Sequence, residues 1–297
     1  MDTGFVLAWA LGGLLIGSHL NVLIHRWPRM LAAEMGEPVA LITPQAHPVP
    51  QPFNLATPRS HCPHCGTPLT LAQLVPVLSF LWQRGRCGHC HHPIAWRYPV
   101  VELLSMAWWI WCGTQVSALA GQAALGMTSV ILPGSALWGP SLAWALWGSA
   151  LLALAWIDWD STWLPDGLTQ PLVWAGLIAA ALGWSGLSLN QALAGAVLGY
   201  LSLWSVAWAF RGFTGQEGMG GGDFKLLAAL GAWLGPWLLI PLVLLAAVGG
   251  LMAGLVMRAN GQLREGRYVP FGPFLVAAAV ALRLGLDRVV LSVWGMA

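Results

Sequence analysis

Charge is what this chain has least of. Only 8% of its 297 residues are Asp, Glu, Lys or Arg, against about 25% in a soluble domain. That scarcity excludes an ordinary soluble enzyme, and with 57% hydrophobic residues it indicates an integral membrane protein. The positive surplus is thin too: a formal net charge of +2 gives no field for a nucleic acid, so none is expected as a partner. No basic segment precedes the first apolar stretch, residues 4–24, which is expected to remain as a span and not to be removed as a signal peptide. Cysteine is sparse, with five residues, four of them in two pairs.

Tryptophan, in contrast, is abundant. Twenty indoles suit the membrane–water interface, where an amphipathic ring is at home. Spanning takes about 20 apolar residues, and eight stretches are candidates: 4–24, 100–120, 137–157, 168–184, 192–210, 224–237, 238–257 and 271–285. The sixth is the weakest. Gly235, Pro236 and Pro241 interrupt residues 224–257, which are expected to form a tight hairpin of short helices, with a single kinked span as the alternative. Glycines four apart, Gly13/Gly17, Gly195/Gly199 and Gly250/Gly254, are expected to serve ordinary close helix packing.

Eight spans put both termini on one side. Arg26, Arg29, Arg59, Arg84, Arg86 and Arg97 fall in the first loop, Arg211 and Lys225 flank a glycine-rich loop, and Arg258, Arg264 and Arg267 precede the last span. Of the thirteen basic residues only Arg283 and Arg288 fall on the other side, so the charged side is expected to be cytoplasmic. The fold expected is an all-α polytopic membrane protein of about eight transmembrane helices with a small cytoplasmic zinc-binding loop domain. Its parts are a first helix over 1–25, a cysteine domain over 26–99 and a membrane domain over 100–297. Prolines 38, 44, 48, 50, 52 and 58 make the first half of the loop an extended linker.

Cys62, Cys65, Cys87 and Cys90 read C-x2-C, 21 residues, C-x2-C. Two thiolate pairs at this spacing form two knuckles that can close a tetrahedron around structural zinc. The cytoplasmic side disfavours disulfides, and an iron–sulfur cluster, which takes the same four ligands, is the rival. His61, His64, His89, His91 and His92 crowd the same loop and read as surface or supporting residues. Cys112 lies within a span and reads as a buried hydrophobe.

Asp158 follows the third span in "LAWIDWDSTWLPDGLT", with Asp160 and Asp166 close behind. Asp223 precedes the sixth in "GMGGGDFKLLAALGAWLG". A carboxylate at a membrane helix centre costs about 2.5–3.5 kcal/mol, but a helix-end charge is cheap. For each aspartate alone the plain reading is therefore a solvated helix end. The topology changes this, because it puts Asp158 and Asp223 at the same depth at the cytoplasmic end. Two neighbouring carboxylates cannot both ionise. One keeps a proton while the other takes one from water, which is aspartyl-protease chemistry. The glycines before Asp223 admit backbone close to a bound peptide. Glu34 and Glu37 read as solvated loop charge.

The glycine segment resembles the G-x-G-D motif of the type IV prepilin peptidases, with Gly220, Gly222 and Asp223 in the fixed places. "GSHLNVLIHRWP" (17–28) resembles that family's first span. The cysteine pairs followed by "WRYPVVE" (96–102) resemble its loop, "IDWDSTWLPD" its first catalytic segment and "VPFGPFL" (269–275) its last span. His19 and Trp27 depart from the family's usual residues. The resemblance implies a bifunctional enzyme of the Gram-negative inner membrane, with its sites on the cytoplasmic side. Such an enzyme cleaves the basic leader of type IV prepilins and type II secretion pseudopilins after glycine. It then N-methylates the new N-terminal residue, usually Phe, with S-adenosylmethionine. Carried onto this chain, it makes Asp158 and Asp223 the catalytic pair, with Gly220 and Gly222 as motif support and Asp160 and Asp166 as supporting residues. No glycine-rich fingerprint follows a strand, so no residue is assigned to the methyl donor; a peptidase without methyltransferase activity, or a non-catalytic metal-binding membrane scaffold or transporter, is the alternative.

Overall fold

The computed structural model describes residues 3–35, 53–124, 134–216, 218–261 and 269–293. Glu37, the prolines from Pro38 to Pro52, Arg264 and Arg267 lie outside the described residues. Among those described there is no strand; two isolated β-bridges, His61–Pro68 and Arg86–Pro93, are the only extended pairings. The chain forms two compact units, Met1–Ala153 and Leu154–Ala297.

The first unit contains α1 (Thr3–Glu34), a single 3-10 turn (Leu71–Leu74), α2 (Leu78–Trp82), α3 (Arg97–Ala124) and the start of α4 (Gly134–Ser161). α1 packs along α3. A Cβ at Gly13 would come 2.6 Å from Met106 Cα, and one at Gly17 would come 2.7 Å from Glu102 Cα. This first glycine pair therefore does bring two backbones together, as small residues do between membrane helices. Trp108 Nε1 donates to the Trp144 carbonyl and Trp109 Nε1 to Ser149 Oγ, both at 2.9 Å, so α3 and the start of α4 satisfy each other's buried polar groups.

α1 runs ten residues beyond its expected span, through Pro28. A proline removes one intrahelical bond, but the residues after it, Met30 to Glu34, are good helix formers. Arg26, 6% exposed, also ties this stretch down. It donates to the carbonyls of Asn54 (2.8 Å) and Pro58 (2.6 Å), and its guanidinium lies over the Phe53 ring.

The second unit holds the end of α4, α5 (Asp166–Ala181), α6 (Leu189–Thr214), α7 (Gly221–Leu234), α8 (Leu239–Ala259) and α9 (Gly272–Ala281). A π turn (Leu282–Leu286) leads from α9 to α10 (Asp287–Val293). α6 starts at a capping box, where the Gln191 amide donates to Ser188 Oγ and the Ser188 amide to Gln191 Oε1. It stops at Gly215, whose φ of 69° is a left-handed cap that glycine adopts without penalty.

α7 packs against α5, α6 and α9, and from Leu226 to Leu234 every residue is buried. That explains why its sequence is apolar all round. Gly195 of α6 and Gly231 of α7 bring their backbones so close that a Cβ on either would lie 2.1 Å from the other's carbonyl oxygen. The third glycine pair does not act this way: Cβ atoms at Gly250 and Gly254 would make ordinary contacts of 3.5 and 3.6 Å. The chain breaks between α7 and α8 at Gly235 (φ 81°) and a short turn, Pro236–Leu238.

Among the described residues, four helices are long and apolar enough to cross a membrane: Thr3–Met35, Trp138–Ser161, Leu189–Thr214 and Pro236–Ala259. They mark the chain as a membrane protein and coincide with the first, third, fifth and seventh expected spans. The other expected spans fall on α3, α5, α7 and α9. Of these, α7 with 14 residues is about 21 Å long, short of the ~30 Å hydrocarbon layer.

Candidate active site and metal centre

Asp158 lies inside the last turn of α4, not after the end of the helix as expected, and is 4% exposed. The helix ends just after it. The Thr162 amide donates to the Asp158 carbonyl, and the Ser161 hydroxyl donates back to Ile157 O. Asp223 is the third residue of α7, in its first turn and half-buried. A carboxylate there faces the positive end of the helix dipole. The two carboxylates, 65 residues apart in sequence, lie within electrostatic range of one another. Both belong to the second unit.

The partner of Asp158 comes from a third helix. The Gly272 amide, at the first residue of α9, donates to Asp158 Oδ2 at 3.0 Å. A Cβ at Gly272 would sit 2.6 Å from that same oxygen, so only glycine lets the α9 N-terminus reach the carboxylate. Sequence reasoning gave Gly272 no role. Its signal was present within "VPFGPFL", a glycine followed by proline at a helix start, but nothing local pointed to Asp158.

The segment between Asp158 and α5 is held against the start of α7. Lys225 Nζ binds both carboxylate oxygens of Asp166, at 2.7 and 2.8 Å. A Cβ at Gly222 would meet Leu164 Cβ at 2.8 Å. Asp166 is thus a tether to α7, while Asp160 is half-buried and not part of this pairing. Gly220 differs from Gly222: a side chain there would meet nothing within 4 Å, and its φ of −73° suits any residue.

In the first unit the cysteines do come together. The four Sγ atoms lie within 4.8 Å of one another. Each pair sits on a knuckle of the same build. In the first, the Cys62 amide donates to Thr67 O and the Gly66 amide to Cys62 O. In the second, the Cys87 amide donates to His92 O and the His91 amide to Cys87 O. His91 (φ 57°) holds the left-handed position that Gly66 (φ 70°) holds in the first knuckle. Cys62 Sγ and Cys90 Sγ are 3.8 Å apart, close to the edge of a tetrahedron with ~2.3 Å metal–sulfur bonds. The donor set therefore fits a tetrahedral thiolate-bound metal.

Its electrostatics fit too. Hydrogen bonds from the Thr67 hydroxyl and amide pull the Cys65 thiol down to about 6, and the Cys90 and His89 amides lower Cys87. Cys90 has a favourable bond from the His92 amide, yet desolvation and the other sulfurs push it up to about 12. Four sulfurs this close cannot all carry charge without a cation among them. The His64 and His92 rings stack at 4.2 Å, and both residues are exposed, as expected of supporting residues. Cys112 is buried in α3, away from the cluster.

Comparison with known proteins covers both units. Residues 11–116 match the bacterial peptidase A24 N-terminal domain, and residues 145–255 match the type IV leader peptidase family. A prepilin leader peptidase/N-methyltransferase of Aeromonas hydrophila is 48% identical, over 92% of this chain and 88% of the relative. Relatives of the same name from Burkholderia pseudomallei (strain 1026b) and Pectobacterium carotovorum subsp. carotovorum are 46% and 42% identical, over 95% and 92% of this chain and 86% and 92% of their own lengths. No solved structure matches the chain significantly. Identity of this degree over nearly the whole length means that the chain belongs to the type IV leader peptidase family.

Proposed function

We propose that the chain is a membrane aspartyl endopeptidase that removes the leader of type IV prepilins and type II secretion pseudopilins after glycine, and that it N-methylates the exposed residue. The observation that carries the peptidase reading is a buried Asp158, held by the Gly272 amide, within electrostatic range of Asp223. Asp158, which accepts the Gly272 amide, is the partner suited to hold negative charge and take a proton from water. The hydroxide equivalent attacks the scissile carbonyl, and Asp223 supplies the proton that the leaving amine needs. The products are a leader with a new carboxylate and a mature chain with a free N-terminal amine. That amine is the methyl acceptor, and S-adenosylmethionine supplies the methyl group.

The wider reading rests on charge and on the family. All eight expected spans are taken to cross the bacterial inner membrane, the shorter helices within the shelter of the longer ones. The cysteine domain and the dyad face the cytoplasm, where all the basic residues except Arg283 and Arg288 fall. Residues 1–25, 26–99 and 100–297 serve as first span, cysteine domain and peptidase domain. Cys62, Cys65, Cys87 and Cys90 would hold one structural zinc ion, closing the two knuckles.

The test is to incubate the purified protein with a full-length prepilin and isotopically labelled S-adenosylmethionine, then weigh the product. The expected product lacks the leader and carries one labelled methyl. An unprocessed prepilin would contradict the proposal. A cleaved but unlabelled product would remove the methyltransferase half.

A further inference from the structure

Around α2 and the 3-10 turn before it, the first unit carries a large exposed apolar surface. Leu71, Leu74, Leu78, Leu81 and Trp82 line one short stretch between the two cysteine pairs, and Trp96 stands just before α3. Leu71 is 79% exposed, Leu78 and Leu81 63%, Trp82 83% and Trp96 73%. Five large apolar side chains left this open, with Leu74 beside them at 38%, need a covering partner in a small domain.

The stretch is tied to the membrane helices at a definite depth. The Val77 amide, in its middle, donates to Glu102 Oε2 at 2.7 Å. Glu102 belongs to α3, and its Cα lies 2.7 Å from where a Gly17 Cβ would be on α1. Gly17 is seven residues before the expected end of the first span at Ile24, and Glu102 is two residues after the expected start of the second at Val100, so their contact lies roughly 3–10 Å inside the boundary. Residues 71–82 are therefore held, by one glutamate side chain, near the boundary of the hydrocarbon layer. Arg84 and Arg86 follow directly and are exposed, and Arg97 starts α3. Leucine and tryptophan beside arginine is the composition of an interfacial element, with the rings and chains in the acyl boundary and the cations at the phosphates.

We infer that residues 71–82 and Trp96 form an interfacial anchor that seats the cysteine domain in the anionic leaflet beside α1 and α3. The occupant of this face is phospholipid. The anchor rests on α1 and α3 crossing the membrane, and it fixes the height of the cysteine knuckles above the bilayer.

The test uses the full-length protein in nanodiscs of phosphatidylethanolamine and phosphatidylglycerol. The photoreactive residue p-benzoylphenylalanine replaces Leu81 in one variant and Trp82 in another. A third variant carries it at Leu15, an α1 position 65% exposed that should face lipid. After irradiation, the Leu81 and Trp82 variants should gain the mass of one phospholipid, as the Leu15 variant does. Lipid adducts at Leu15 with none at Leu81 or Trp82 would overturn the anchor and leave the spans standing. Adducts at Leu81 or Trp82 to added prepilin in place of lipid would overturn it as well, making this face a substrate dock. No lipid adduct at Leu15 would overturn the spanning reading of α1, and the anchor with it.

Discussion

At the scale of single residues, the site depends on an atom that is not there. Gly272 lacks the Cβ that would stand 2.6 Å from Asp158 Oδ2, and its amide donates to that oxygen at 3.0 Å. Gly272→Ala must displace either the carboxylate or the α9 N-terminus. A shift of about 1 Å at a reacting group can cost on the order of 100-fold in rate, so leader cleavage should fall by about that factor. The thermal midpoint should move far less than it does for a core-cavity variant. Steady-state cleavage and a melting curve on the same preparation check this, and full activity would remove the Gly272 amide from the site. No local pattern leads to this contact, since Gly272 and Asp158 are 114 residues apart and a G-P pair reads equally well as a plain helix start. The aspartates were singled out by the expected topology and by the resemblance, since each one alone reads as a solvated helix end.

At the scale of elements, the cysteine knuckles were legible and several helix ends were not. C-x2-C is a local instruction, and the repeated amide-to-carbonyl pattern around Cys62 and Cys87 follows from it. Cys65→Ser removes one of four ligands, so metal per chain should drop from about one to well below one on elemental analysis, with zinc as the metal in the parent protein. Finding iron, or no metal, in freshly purified parent protein would contradict the zinc assignment. Helix ends are harder to read, because tertiary contacts decide them. Pro28 looks like a stop, yet Arg26 and its carbonyl partners carry α1 on to Glu34. α4 similarly extends past residue 157 and takes Asp158 into helix. The Lys225–Asp166 pair joins α5 to α7 but is largely exposed, and such pairs contribute about 0–1 kcal/mol. Asp166→Asn should therefore shift stability by less than about 1 kcal/mol and leave most of the cleavage activity. A loss as complete as that of a dyad variant would give Asp166 a chemical role.

At the scale of the whole molecule, composition alone indicated a membrane protein, and the four long apolar helices agree. The span count was less legible. α7 is apolar because it is buried among its neighbours, and hydropathy cannot separate that cause from contact with lipid. Reporter fusions address the orientation: insertions at Pro50 and Gln262 should both report cytoplasm, and a periplasmic signal at Pro50 would overturn the sidedness assigned to the cysteine domain. The central claim is that Asp158 and Asp223 act as one catalytic unit. Asparagine keeps the size of aspartate but cannot hold and return the proton. Asp158→Asn and Asp223→Asn should each abolish cleavage of a prepilin while insertion and metal content stay intact. The double variant should be no worse than either single one, since residues acting as a unit are not additive. Methylation of a pilin supplied already cleaved should survive in both. The most direct measurement is cleavage of a full-length prepilin by Asp223→Asn in membranes, read by gel shift and mass: no product is predicted, and robust cleavage would contradict the aspartyl mechanism and return that carboxylate to the role of a helix-end charge.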